Sequence, residues 1–355
     1  YEDNNLVKKD RYEEIPEENV ITNAIKTYET ETNKQYKVEL VVKLRDREYV
    51  LSELEYNTQD TEEIKGIYNK DDFLEIQPRG HYIVLGDIDL SEGTGYQYRF
   101  GNSNLPFEGV IDFNGKNLIF TNQLSNVFEK TSDSAIIKNI VINLYLKSSA
   151  GNSGIIYKNY GTLENIMINV YDIYNYYKSD QNFITQQNYG IINKCIINLK
   201  EVLKVRNKVT SVFYNYGKIK NTYITGNKID ASEKIESENW KDTAGICMFN
   251  NERGTIENIY STIDVELGEG SYTRNAMPLV SHNYGDYVKN VYSTGNIING
   301  DKTRGINVYN NYGSYSKTEN SYYMSDDIYN ATYDRKTTKL ALYDSDFQNN
   351  ILNAE

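Results

Sequence analysis

Asn159-Tyr160-Gly161, Asn188-Tyr189-Gly190, Asn215-Tyr216-Gly217, Asn283-Tyr284-Gly285 and Asn311-Tyr312-Gly313 are one phrase written five times. A degenerate copy, Asn251-Glu252-Arg253-Gly254, stands between the third and the fourth. The first asparagines fall at 159, 188, 215, 251, 283 and 311, in steps of 29, 27, 36, 32 and 28 residues. A recurrence of this length is the signature of a repeat architecture.

Each copy sits between two apolar runs. Before it come stretches such as Gly154-Ile155-Ile156-Tyr157, Ser211-Val212-Phe213-Tyr214 and Gly245-Ile246-Cys247-Met248-Phe249. After it comes an apolar-x-Asn-apolar phrase: Leu163-Glu164-Asn165-Ile166, Ile219-Lys220-Asn221-Thr222, Ile256-Glu257-Asn258-Ile259 and Val288-Lys289-Asn290-Val291. Ile137-Lys138-Asn139-Ile140 belongs to the same series. Short strands punctuated by fixed turns close into coils, and stacked coils pair strand on strand about 4.8 Å apart. The expected fold is all-β, a right-handed parallel β-helix by the usual chirality of parallel crossovers. Eight or so coils give a rod on the order of 40 Å long.

The turn residues are expected to be structural. Gly161, Gly190, Gly217, Gly254, Gly285 and Gly313 read as corners where glycine supplies a left-handed conformation. Asn139, Asn165, Asn221, Asn258 and Asn290 read as a stack whose amides hydrogen-bond from coil to coil. Lys194 replaces the asparagine of that stack, so the ladder is expected to break there.

Outward from the repeat, residues 1–30 are charged and read as a linker or frayed start. Residues 31–68 read as a small β subdomain, from the alternation in Tyr36-Lys37-Val38-Glu39-Leu40 and the second run at Tyr49-Val50-Leu51. The β-helix spans 69–345 and opens with a helical cap at Asn69-Lys70-Asp71-Asp72-Phe73, where Asn69 is the N-cap. Thr337 to Leu342 and Phe347 suggest a short terminal helix over the last coil, and 346–355 is a tail. Two coils carry insertions, which in repeat proteins fall on one face and often bind. One, Tyr171 to Asn182, brings Tyr171, Tyr174, Tyr176 and Tyr177. The other, Lys228 to Thr243, holds the only tryptophan, Trp240. These five residues are the candidate protein-binding set.

Composition narrows the chemistry. The 355 residues carry a net charge of −12, which opposes a phosphate-binding surface for nucleic acid. No stretch approaches the roughly 20 apolar residues that span a bilayer. Cys195 and Cys247 lie in apolar runs and read as buried free thiols. His81 and His282 belong to no H-E-x-x-H helix, and no G-x-S-x-G elbow or Walker loop is present. Asp87, Asp89 and Asp112 could serve a sugar-cleaving site, and Asp87, Asp89 and Glu92 a calcium ion. Their places beside Ser91 and the Asn114-Gly115 turn favour turn chemistry. No catalytic residue, metal or cofactor is expected in this chain.

Phe73 to Leu90, ending in Gly86-Asp87-Ile88-Asp89-Leu90, resembles the opening phrase of GLUG-type repeat regions. Phe107-Glu108-Gly109-Val110-Ile111-Asp112 followed by Asn114-Gly115 is similar to their second phrase. Val127-Phe128-Glu129-Lys130 and then Ile137-Lys138-Asn139-Ile140 resembles the third. This order is that of the region preceding the catalytic domain in IgA1-specific zinc metalloproteases of streptococcal type, and it covers about residues 70 to 345. The resemblance implies a secreted or wall-attached metalloendopeptidase whose zinc lies in a downstream domain. It implies a protein partner, immunoglobulin A1 or another host glycoprotein. The Asn-Tyr-Gly corner departs from the family's glycine-rich wording, and no position here matches the zinc motif. The chain starts at Tyr1 and reads as a piece of a longer protein.

Three functions compete. The first is a non-catalytic region that positions a protease domain and helps hold its substrate. The second is a stand-alone adhesin or scaffold module. The third is a polysaccharide-degrading β-helix enzyme.

Overall fold

The structure is a computed structural model that describes residues 34–44, 47–58, 64–91, 100–102, 104–121, 126–146, 154–172, 181–205, 208–232, 243–268, 276–299, 308–310, 317–323 and 337–339. The chain divides into two units, Tyr1–Ile64 and Lys65–Glu355. In the first, strands Lys34–Leu44 and Arg47–Thr58 pair antiparallel, with a register break between Leu40 and Val41.

The second unit is a parallel β-solenoid of about 6 turns. The count is lower than the eight or so coils expected. Its sheets hold 13, 9 and 4 strands among the described residues. The long sheet runs rung by rung through Ile136–Tyr145, Thr162–Tyr171, Ile191–Leu199, Lys218–Gly226, Thr255–Ser261, Tyr287–Ser293 and Lys317–Tyr323. Every pairing between these rungs is parallel.

Strand alternation sends one side chain in and the next out. Ile137, Leu163, Ile192, Ile219, Ile256 and Val288 form one fully buried inward column of the long sheet. Ile140, Ile166, Cys195, Thr222, Ile259 and Val291 form another. Each buried Ile contributes about 1.5–3 kcal/mol, so regular stacking dominates stability. Cys195 is simply a small apolar member of its column. Burial pushes its thiol up to about 12, and burial also raises that of Cys247. Both are free and inert.

The N-terminal cap is built as expected. Asn69 Oδ1 accepts from the backbone N–H groups of Asp71 and Asp72 and starts the helix Lys70–Leu74. Phe73 from that helix is fully buried, with Phe113 and Phe100 beside it. The other end differs. Thr337–Lys339 is a strand paired parallel with Ser321–Tyr323, not the start of a helix. An open rung offers Thr337 and Thr338 backbone partners that an isolated short helix lacks, and β-branched threonine suits a strand. Residues 340–355 lie outside the described residues.

The left-handed corner falls at the ladder asparagines and not at the glycines. No glycine of the Asn-Tyr-Gly phrase among the described residues has a positive φ. The left-handed residues of the outer corner are Asn139, Asn165, Lys194, Asn221, Asn258, Asn290 and Asn320, with φ of 50 to 56°, and in the degenerate copy Arg253 has φ 66°. Asparagine tolerates this region because its short side chain bonds locally. The glycines serve close approach instead. A Cβ on Gly190 would collide with the carbonyl oxygens of Gly161 and Tyr160, and one on Gly217 with that of Gly190. Gly161, Gly254 and Gly285 are pressed in the same way, while Gly313 lies outside the described residues.

The asparagines of the Asn-Tyr-Gly phrase make an inner ladder. Asn159, Asn188, Asn215, Asn250 and Asn283 are fully buried. Nδ2 of each donates to Oδ1 of the next, at 2.8, 2.8, 2.7 and 2.9 Å. The second N–H goes to the carbonyl of Gly161, Gly190, Gly217 or Gly254 in the same turn. Thr131 Oγ1 donates to Asn159 Oδ1 and so begins the ladder at the preceding coil. The degenerate copy is therefore shifted: Asn250, not Asn251, holds the ladder position. Asn251 takes the place of the tyrosine, its N–H bonding Asn215 O as Tyr216 N bonds Asn188 O. In the last copy the partner of Asn283 is Asn310 rather than Asn311.

The outer ladder runs the opposite way. Asn165 Nδ2 donates to Asn139 Oδ1 at 2.8 Å, Asn258 to Asn221 at 3.0 Å, Asn290 to Asn258 at 2.8 Å and Asn320 to Asn290 at 2.9 Å. It breaks at Lys194, as the sequence predicts, but is bridged one position away. Asn221 donates to Asn193 Oδ1, and Asn193 donates to Glu164 Oε1. Lys194 is still held at φ 54°, a conformation that favours asparagine. Replacing Lys194 by Asn relieves that strain and extends the stack. It is expected to raise the unfolding free energy by about 1 kcal/mol, read from a denaturant midpoint shift at constant slope.

Candidate functional site

The outward columns of the long sheet set what this solenoid can bind. Beside the outer ladder runs a charged column: Asp112, Lys138, Glu164, Asn193, Lys220, Glu257, Lys289 and Glu319 stand on successive rungs. The sign alternates wherever two charges adjoin. Asp112 and Lys138 approach to 3.3 Å and Glu257 and Lys289 to 2.8 Å. The hydrogen bond to Glu257 holds the Lys289 ammonium above its ordinary pKa. Like charges a rung apart would repel, so alternation suits register more than ligand capture.

Across the corner the next outward column is Val141, Met167, Ile196, Tyr223, Tyr260, Tyr292 and Tyr322. Its first half is aliphatic and its second half aromatic. Tyr223 and Tyr260 stack at 4.5 Å. Burial raises the phenol pKa of Tyr260 and Tyr292. The aliphatic half forms the floor of an open groove of about 270 Å³, with Val141, Met167 and Ile196 over the buried Ile140 and Ile166. Asn139 and Asn165 make one wall, and the Asn114-Gly115 turn closes the N-terminal end. Met167 is 38% exposed. No lining residue is charged.

Within that turn Asn114 adopts φ 50° and Gly115 φ 72°. Asn114 N donates to Asp112 Oδ1, and Gly115 N to Asn139 O. These bonds hold the backbone of the turn in place at the groove end. Asn114 Nδ2 is shielded from solvent and has no hydrogen-bond partner. An unsatisfied buried donor costs about 1–3 kcal/mol.

The tyrosines of the Asn-Tyr-Gly phrase form a second exposed feature. Tyr160, Tyr189 and Tyr216 stack ring on ring at 4.7 and 4.8 Å, with Lys130 Nζ 5.3 Å from the Tyr160 ring centre. Burial first, and then the two neighbouring phenols, raise the Tyr189 pKa. The ring faces are consumed by the stack, leaving edges and hydroxyls outward. The stack stops where Asn251 replaces tyrosine.

The residues singled out from sequence are dispersed. Tyr171 pairs with Tyr145 in a stack of 4.8 Å spacing at a strand end. Tyr174, Tyr176, Tyr177 and Trp240 lie outside the described residues. Asn139 and Asn165 line the groove, whereas Asn221, Asn258 and Asn290 continue the ladder beyond it. Asp87 Oδ1 accepts from Asn117 N, and Asp89 Oδ1 from Ser91 N. Asp112 accepts from Asn114 N and Asn139 Nδ2. All three carboxylates hold turns or neighbouring coils. Glu92 lies outside the described residues. His282 stacks on Phe249 at 4.8 Å, and His81 opens the strand His81–Val84. Among the described residues no group of His, Cys, Asp and Glu gathers as a metal site would require, and no helix is long and apolar enough to cross a membrane.

The groove went unread in the sequence. Val141, Met167 and Ile196 lie 26 and 29 residues apart, and only coil stacking makes them neighbours. An apolar residue at the outward position after the ladder asparagine was the available signal.

The sequence matches no protein-family model. It matches no curated protein either.

Proposed function

We propose that this chain is a non-catalytic β-solenoid region of a secreted or cell-wall-attached zinc metalloendopeptidase of the IgA1-protease kind. It places the protease domain at a distance and takes part in holding a glycoprotein substrate. The observation that carries the reading is the division of labour across the solenoid. The buried amides of Asn159, Asn188, Asn215, Asn250 and Asn283 pair with one another, while the outward face keeps an uncharged groove. A contact surface of amides and aromatic edges suits a polar, wet protein interface. The engagement of Asp87, Asp89 and Asp112 with turns favours this reading over sugar cleavage. The resemblance of Phe73–Leu90 and the phrases after it supplies the protease context.

Surface plasmon resonance with the 355-residue chain immobilised tests the proposal. Immunoglobulin A1 is expected to bind saturably, with a Kd in the micromolar range set by a small interface of about 1,000 Å². Binding is expected to survive a chelator, because no metal is invoked. No binding of immunoglobulin A1 or of other host glycoproteins would sink the reading.

A further inference from the structure

We infer that the sheet face carrying the alternating charge column is a self-complementary docking surface, on which a second copy of this chain packs face to face and antiparallel. The inference goes beyond the functional proposal above and does not depend on it. Rung by rung, the column is Asp112, Lys138, Glu164, Asn193, Lys220, Glu257 and Lys289. Its one neutral member, Asn193, is where the alternation changes phase. In an unbroken alternation, residues two rungs apart carry the same sign, yet Glu164 and Lys220 carry opposite signs. The column is therefore antisymmetric about Asn193. Turned end for end about that rung, it sets Asp112 against Lys289, Lys138 against Glu257 and Glu164 against Lys220, and no like charges meet. The operation is a two-fold axis along Ile191-Ile192-Asn193, the isologous symmetry of most homodimers, so every pair forms twice. Packing the same faces parallel would set Lys138 on Lys138 and Glu257 on Glu257, and like charges repel.

The ion pairs within the chain point to the same rung. Asp112 with Lys138, and Glu257 with Lys289, are closed at 3.3 and 2.8 Å. Glu164 has Lys194 at the corner, 3.9 Å away, and Lys220 makes no ion pair with a described residue. Glu164 and Lys220 are thus the charges that the phase change leaves over, and the two-fold brings them together on both sides of the axis. Asn193 adds little bulk there, because it is held between Glu164 and Asn221.

Two residues earlier on each strand runs the neighbouring outward column of the same face. It is Val110, Ile136, Thr162, Ile191, Lys218, Thr255 and Tyr287. The same rotation sets Ile191 on its twin, Ile136 on Thr255 and Val110 on Tyr287, with Lys218 against the uncharged Thr162. Val110, Ile136, Ile191 and Tyr287 are only half-buried in the chain, so apolar surface remains to be covered. From Asp112 to Lys289 the face is about 29 Å long. At two columns wide it buries on the order of 1,000 Å² in total, the lower limit of a specific interface. The dimer is accordingly weak and concentration-dependent.

Sedimentation velocity on the whole chain tests the inference. Each copy carries a net charge of −12, so the measurement is made at about 0.15 M salt, where repulsion beyond about 8 Å is screened and contact pairs persist. A monomer–dimer equilibrium is expected, with a Kd of about 100 micromolar. Ile191→Glu gains Lys218 as a neighbour within the chain but meets itself across the axis, and is expected to weaken association at least about tenfold. Lys220→Glu and Glu164→Lys each set two like pairs in the interface, and each is expected to weaken self-association about tenfold. Mixed in equal amounts, these two variants are expected to associate again as a heterodimer. The unaltered Glu164 of one copy then meets the unaltered Lys220 of the other, and the two altered positions meet with opposite charge. Misfolding of either variant cannot produce that rescue, and circular dichroism verifies the folds. A chain that stays monomeric at about 1 mM overturns the inference. So does a dimer that Ile191→Glu leaves untouched, or a mixture that associates no more strongly than either variant alone.

Discussion

Gly190→Ala is expected to lower the unfolding free energy by at least about 3 kcal/mol. The new methyl would meet the Gly161 and Tyr160 carbonyl oxygens of the coil beneath. Those atoms are backbone, held by the hydrogen bonds of Tyr189 N and Gly190 N to Asn159 O and of Ile191 N to Gly161 O. They cannot move without parting two coils. Gly190→Asn separates this cause from a left-handed requirement. Asparagine is well tolerated at positive φ, so a left-handed corner would accept it. Close approach predicts a loss at least as large as that of alanine. Gly115 is the opposite case, with φ 72° and open space where a Cβ would go. There alanine is expected to cost about 1 kcal/mol, and asparagine only a few tenths. Equilibrium denaturation of the four variants decides the matter. A mild Gly190→Asn beside a severe Gly190→Ala would refute the close-approach account.

Asn215→Ala is expected to cost about 4 kcal/mol. Asn215 is fully buried, accepts from Asn188 Nδ2 and donates to Asn250 Oδ1 and Gly217 O. Its removal leaves a donor and an acceptor without partners in a dry interior, at about 1–3 kcal/mol each, and opens a small cavity. Asn258→Ala in the outer ladder is expected to cost only about 1–2 kcal/mol. Water can reach its former partners there, and the main loss is left-handed propensity. Hydrogen exchange should localise the first effect to the coils flanking Asn215. Equal costs at the two positions would contradict the distinction between an interior and a surface ladder.

The recurring phrase placed the chain among parallel solenoids, and the alternation in Ile136–Tyr145 or Thr255–Ser261 told which side chains enter the core. Those features are local, because a strand's two faces follow from backbone geometry alone. The helix at Lys70–Leu74 was equally legible, since Asn69 and two aspartates write its start within four residues. The terminal strand Thr337–Lys339 was not, because its conformation is decided by the neighbouring rung. The candidate site was legible only in fragments. Asn139 and Asn165 stood out as repeat residues, but their wall needs Asn114 and their floor needs Met167 and Ile196 from other coils.

By itself, the sequence determined that asparagine and glycine would occupy recurrent turns and that apolar residues would stack between them. Which of the two turns bends left-handed was decided by tertiary structure. A glycine is read the same way whether it needs positive φ or the absence of a Cβ, and only the position of the next coil's carbonyl tells the two apart. The same holds for Asn250 and Asn251. Both are asparagines in the right place, and the ladder spacing between coils selected the first. Stacking is a contact between residues about a coil apart, so its geometry, and the groove it leaves beside Asn114, exist only once the coils close.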